Sequence, residues 1–143
     1  MKRRERIQFC FRNEVIIALR ITESKLDSGA PKSMGHGSGI SKPTEVKAIR
    51  NMMPVYSVTV LGEDLRRPED WIRLVRRTKA KFNNNNLGKI YHVEYQINLS
   101  WKERNIMRKG LMKELKVTRH KYYALRSRIV DYAEKIAKEM GLD

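Results

Sequence analysis

The chain has 143 residues, 41% hydrophobic and 33% charged, which suits one domain, or a small domain with helical attachments, and a real core. Its formal net charge of +15 exceeds what solubility requires and points to a polyanion, because each Lys or Arg that neutralises a phosphate releases condensed counterions. The single cysteine, Cys10, excludes an internal disulfide and every cysteine-rich zinc motif, and reads as a small hydrophobe within Phe9-Cys10-Phe11.

Residues 3 to 22 form the first predicted helix, with Ile7, Phe11, Val15, Ala18 and Leu19 on one stripe, although Val15-Ile16-Ile17 also suits a strand. Its expected role, for residues 1–23, is packing or oligomer contact. Lys2 to Arg6 is basic, but no clean apolar run follows, so no secretory signal is read. Val15 to Leu19 is too short to span a bilayer, and the expectation is a cytoplasmic protein with no membrane partner. Residues 24–42 read as a linker, since Gly29, Gly35, Gly37 and Gly39 alternate with Ser28, Pro31, Ser33 and Ser38. Gly35-His36-Gly37-Ser38-Gly39 lacks the Gly-Lys-Ser/Thr ending of a phosphate loop.

Residues 43–86 should hold a helix, a small β element and a basic helix. Ser41 and Pro43 open the first, with Val46, Ile49 and Met53 inward and Pro54 beyond its end. Val55 to Leu61 is the one good strand signal, and a partner as short as Leu65-Arg66 would close a hairpin. Pro68-Glu69-Asp70 starts the next helix, with Trp71, Leu74, Val75 and Thr78 facing inward. Arg73, Arg76, Arg77, Lys79 and Lys81 form its outer face, read equally well as phosphate contacts or as a solvated surface. Asn83 to Asn86 reads as a polar loop with no evident chemistry.

Residues 87–143 read as a helix-turn-helix unit. Its first helix runs from Leu87 to Ile97, with Ile90, Val93, Glu94 and Ile97 along one side. Ser100 caps a second helix, Trp101 to Leu115, with Glu103 placed for a capping box and Gly110 as a bend or division. Lys116-Val117 is the turn, and Thr118 caps a third helix reaching about Glu139. There Tyr122, Leu125, Ile129, Tyr132 and Ile136 form the apolar stripe, which makes Tyr122 core rather than a stacking platform. Arg119, His120, Lys121, Ala124 and Arg128 point outward and are the candidate base contacts. Arg108, Lys113, Lys116, Tyr123 and Arg126 are the candidate phosphate contacts. From Trp101 to Arg128 there are ten basic residues against two acids.

Three segments resemble the RinA/ArpU-type bacteriophage transcriptional regulators, whose C-terminal helix-turn-helix is related to the promoter-binding region of sigma factors. They are Ser38-Gly39-Ile40-Ser41-Lys42-Pro43-Thr44-Glu45 with Ala48; Leu61-Gly62 with Arg67-Pro68-Glu69-Asp70-Trp71; and Leu99-Ser100-Trp101 with Leu115-Lys116-Val117-Thr118, Tyr122-Tyr123, Arg126, Ala133, Ala137 and Met140-Gly141-Leu142. The resemblance implies a DNA-binding activator of late phage genes for packaging, morphogenesis or lysis, acting on double-stranded DNA in a bacterial host. Host RNA polymerase is a further partner it suggests; a homo-oligomer is a separate expectation, tied to residues 1–23. One departure is the longer spacing from Ser100 to Thr118, with Arg104 to Gly110 reading as an insertion. The scanning helix is then either all of Trp101 to Leu115 or only Leu111 to Leu115.

The alternatives are a small terminase subunit, another packaging recognition protein, or an RNA-binding protein. An enzyme is not expected, because Glu63-Asp64 and Glu69-Asp70 have no third acid or His nearby in sequence, and no cofactor or metal motif is present. The fold class expected is mainly α, with a C-terminal helix-turn-helix bundle, a basic helix before it and a small β element near residues 55–66.

Overall fold

The computed structural model describes residues 1–27, 53–96 and 98–143. Over these the protein is mainly helical, with six α-helices, one π-helical turn and a two-stranded antiparallel sheet. The order is α1 (Arg3–Arg12), α2 (Glu14–Asp27), β1 (Ser57–Val60), β2 (Glu63–Arg66), α3 (Pro68–Phe82), α4 (Asn86–Tyr91), a π turn (His92–Gln96), α5 (Trp101–Leu115) and α6 (Arg119–Glu139). The expected helix from Pro43, most of the linker with Gly35 to Gly39, the first segment of the resemblance and Ile97 lie outside the described residues. Met53, expected on that helix's buried stripe, is exposed. No helix among the described residues is long and apolar enough to cross a membrane.

The chain divides into two compact units, Asn13–Ile72 and Met1–Arg12 with Arg73–Asp143. The expected single helix over residues 3–22 is corrected: a turn at Asn13 separates α1 from α2, which continues to Asp27. The break interrupts the apolar stripe, so Val15 is 72% and Leu19 56% exposed, while Ile17 is fully buried.

The hairpin follows from its turn. Leu61 (φ 50°) and Gly62 (φ 80°) both adopt the left-handed region, the backbone of a type I′ turn whose twist matches that of paired strands. The register from Ser57↔Arg66 to Val60↔Glu63 then sends Val58, Val60 and Leu65 inward. Arg67 (φ 54°) ties the hairpin to α3: its N–H donates to the Tyr56 carbonyl at 2.9 Å, and its own carbonyl accepts from Trp71 at 3.2 Å. Both acids at the start of α3 have local partners. Glu69 accepts from the Val55 N–H and pairs with Lys25, each at 3.2 Å, and Asp70 accepts from Arg67 Nε at 2.9 Å.

The second unit packs α1, α4 and the π turn around α6. Leu74, Val75 and Thr78 of α3 are fully buried as their spacing implied, and the Thr78 hydroxyl donates to the Leu74 carbonyl at 2.9 Å. Phe11 of α1 meets Tyr91 and Tyr95 with ring centroids 5.0 and 5.1 Å away. Cys10 beside it is buried, and burial pushes its thiol up to about 12 despite the nearby Arg6 charge. The basic N-terminus is neutralised by the C-terminal end: Arg4 pairs with Asp131 at 2.6 Å and Glu134 at 2.8 Å, Arg3 donates to the Leu142 carbonyl at 3.0 Å, and Arg6 donates to the Asp143 carbonyl. These arginines serve packing.

Asn85 replaces the featureless loop expected at Asn83–Asn86 with an N-cap, its side chain accepting from the N–H groups of Leu87 and Gly88. Gly88 is required there, since a Cβ would lie 2.1 Å from the Phe82 carbonyl oxygen.

Candidate nucleic-acid interface

The helix-turn-helix is built by caps at every joint. The Ser100 hydroxyl accepts from the Glu103 N–H at 3.2 Å and starts α5, which runs unbroken through Gly110 to Leu115. The whole of Trp101–Leu115 is therefore the helix before the turn, and the shorter alternative from Leu111 is set aside. Lys116 (φ 56°) takes the left-handed position, and the Val117 N–H reaches back to the Met112 carbonyl at 3.0 Å. That six-to-one bond is the signature of a Schellman stop. Thr118 then accepts from the Lys121 N–H at 3.1 Å and launches α6.

The core side of α6 is Tyr122, Ile129, Val130, Ala133, Ile136 and Ala137, all buried. Leu125 and Tyr132 of the expected stripe are only half-buried, so the helix is rotated slightly toward Val130 and Ala137. The Tyr122 hydroxyl is buried without a hydrogen-bond partner among the described residues, and burial raises its pKa.

All five expected base-contact residues are exposed, but they do not form one group. His120, Lys121, Ala124 and Arg128 share the outer stripe at helical spacing, together with exposed Ser127, which the sequence reading did not single out. Arg119 turns instead toward Tyr123, its guanidinium 5.8 Å from the ring centre. The first turn of α6 carries no acid, nor does that of the six-residue α4, whereas α1, α2, α3 and α5 each have at least one there. Basic residues beside the positive end of a helix dipole cost stability, so this opening suits an anionic partner better than it suits the isolated fold.

The outer side of α5 adds a second basic surface. Lys102, Lys109 and Lys113 recur with Ile106 at spacings of three and four, and all are exposed. Trp101 at the start of the helix is 75% exposed and Ile106 70%. Lys113 and Lys116, expected at phosphates, are both on the surface; Lys102 and Lys109 extend the same arrangement and were visible only as part of the charge count.

Arg108 and Arg126 are placed differently from that expectation. Both hold Glu94, whose side chain is 1% exposed: Arg108 Nε and a terminal nitrogen each approach a carboxylate oxygen at 2.8 Å, and Arg126 reaches the other oxygen at 3.2 Å. The π turn carries Glu94 on the buried side, and its wider winding brings the consecutive residues Val93, Glu94 and Tyr95 inward together. Arg104 of α5 donates to the carbonyls of Val93 and Glu94. One buried carboxylate thereby links the π turn to α5 and α6. Arg104 and Arg108 lie in the segment read as an insertion, which supplies these ties.

Tyr123 completes the cluster. Its ring faces Arg126 at 4.9 Å, Arg119 at 5.8 Å and Arg108 at 5.9 Å, so three guanidinium groups converge around one half-buried phenol. Glu94 offsets one of these three charges.

No protein-family profile, no curated protein and no solved structure matches this chain.

Proposed function

We propose that the chain is a sequence-specific DNA-binding transcriptional regulator of the RinA/ArpU-like kind, activating late phage genes and binding duplex DNA through α5, the Lys116–Thr118 turn and α6. The observation that carries this reading is the division of α6. One side of its first three turns is buried in the unit, and the other presents His120, Lys121, Ala124, Ser127 and Arg128 to solvent behind an acid-free positive end. An α-helix with that exposed side fits the major groove, where Lys donates to guanine acceptors and a small residue such as Ala meets a thymine methyl.

In this reading Lys121 and Arg128 carry most of the discrimination. Lys113, Lys116, Lys102 and Lys109 hold phosphates and fix register. Arg119 acts with Tyr123 at the backbone, and Arg108 and Arg126 chiefly fix the angle between the helices through Glu94. Contact with host RNA polymerase would use a surface left free by DNA.

Paired substitutions test it. Lys121→Ala should cost about 1–3 kcal/mol on the preferred site and relax one base position. Lys116→Ala should weaken all sequences alike and flatten the salt slope by about 0.9. Equal effects of both changes on every sequence would refute base reading by this helix.

A further inference from the structure

From Arg73 to its end at Phe82, α3 contains five basic residues and no acid. Arg73, Arg77 and Lys81 stand in a column at intervals of four, all exposed. Like charges at that spacing oppose each other within a helix, and a surface shaped only by solubility mixes both signs. The helix dipole accounts for Lys79 and Lys81 in the last turn, but not for Arg77 in the middle.

The position of the column gives it meaning. Phe82 packs edge-on against Tyr132 of α6 at 5.3 Å, and the Lys81 ammonium lies 5.9 Å from the centre of the same ring. Tyr132 is four residues beyond Arg128 on the side of α6 that continues the Lys121–Arg128 edge, a rise of about 6 Å. The basic edge of the proposed reading helix thus passes onto α3, and Asp131, the exposed acid of α6 beside this path, is held by Arg4 at 2.6 Å.

We infer that the Arg77–Lys81 edge of α3 is a second backbone-binding surface, which extends the duplex footprint beyond the helix-turn-helix along the phosphates next to Arg128. This rests on the duplex-DNA reading given above. The partner chemistry is a line of phosphates rather than bases, because the residues are long, flexible cations with no flanking group that distinguishes one base edge from another.

The test compares wild-type full chain with the Arg77→Gln/Lys81→Gln double variant on mixed-sequence duplex DNA, measuring Kd across a salt series. Removal of two phosphate contacts should make the slope of log K against log salt shallower by roughly 1.8. Hydroxyl-radical cleavage should show loss of protection at one end of the footprint only. Ala80→Glu, an exposed position on the same side, is the second variant; it should weaken binding while leaving every existing contact of Lys81 intact. An unchanged slope and footprint in both variants, with Lys113→Ala and Lys116→Ala still flattening the slope, would overturn this inference and leave the helix-turn-helix reading standing. Absence of salt-dependent duplex binding by the wild-type chain would overturn both.

Discussion

Replacing Glu94 by Gln keeps its volume and removes its charge, leaving Arg108 and Arg126 facing a neutral amide. Loss of one partner from a buried ion pair costs about 3–5 kcal/mol, since the remaining charge stays desolvated. Here the arginine side chains are 19% and 31% exposed, and the solvent that reaches them brings the expectation to the lower end, about 3 kcal/mol. At this chain length that corresponds to a fall in Tm of roughly 10 °C. Urea unfolding followed by far-ultraviolet circular dichroism measures it, with Glu103→Gln, an exposed acid of α5, expected to stay within about 0.5 kcal/mol of wild type. A loss below about 1 kcal/mol for Glu94→Gln would show that the carboxylate does not join the π turn to the two helices as argued, because even one unsatisfied buried hydrogen-bond donor should cost that much.

Two glycines should respond in opposite directions. Gly110 meets nothing within 4 Å of an added Cβ in the middle of α5, so Gly110→Ala should stabilise by about 0.5–1 kcal/mol. Gly88→Ala would press a methyl against the Phe82 carbonyl and should destabilise by about 1–3 kcal/mol; thermal melts of both variants decide the matter. Native Cys10 should resist a thiol reagent at pH 8 that labels it rapidly in urea. Its pKa rises from 9.0 unfolded to about 12 folded, chiefly through burial, so the stability it lends is complete below pH 9 and is lost as pH climbs toward 12. Tyr95 and Tyr122, also raised by burial, act in the same sense. The urea midpoint should accordingly decline across that window, and less steeply in Cys10→Ala.

Much of the described fold was legible because its signals are local. Ser100, Thr118 and Pro68 mark helix starts that depend on the nearest residues alone, and Leu61-Gly62 sets a hairpin through its own backbone angles. The continuity of α5 through Gly110 was less legible, since glycine weakens a helix without forbidding it. The break at Asn13 carries no proline or glycine to announce it, so the apolar stripe was extended too far.

Glu94 is the instructive case. Its partners lie 14 and 32 residues away, and no local rule connects them. A signal was nevertheless present: an acid on the same stripe as Ile90 and Val93 must be paired once that stripe is buried. Followed through, it would have predicted basic partners for Glu94 on the neighbouring helices. The grouping of Arg119 with Tyr123 likewise follows from helical phase, which places residues four apart on one side.

The central claim is that α6 reads base sequence rather than charge alone. The most direct test is selection of bound fragments from random duplex DNA by the full chain, run at low and at near-physiological salt. The account predicts one enriched motif that survives the higher salt and is lost or altered when Lys121 and Arg128 are replaced by Ala. Retention at low salt with no motif would contradict it, because the net charge of +15 would then be acting without discrimination, and a packaging or RNA-binding role would take its place.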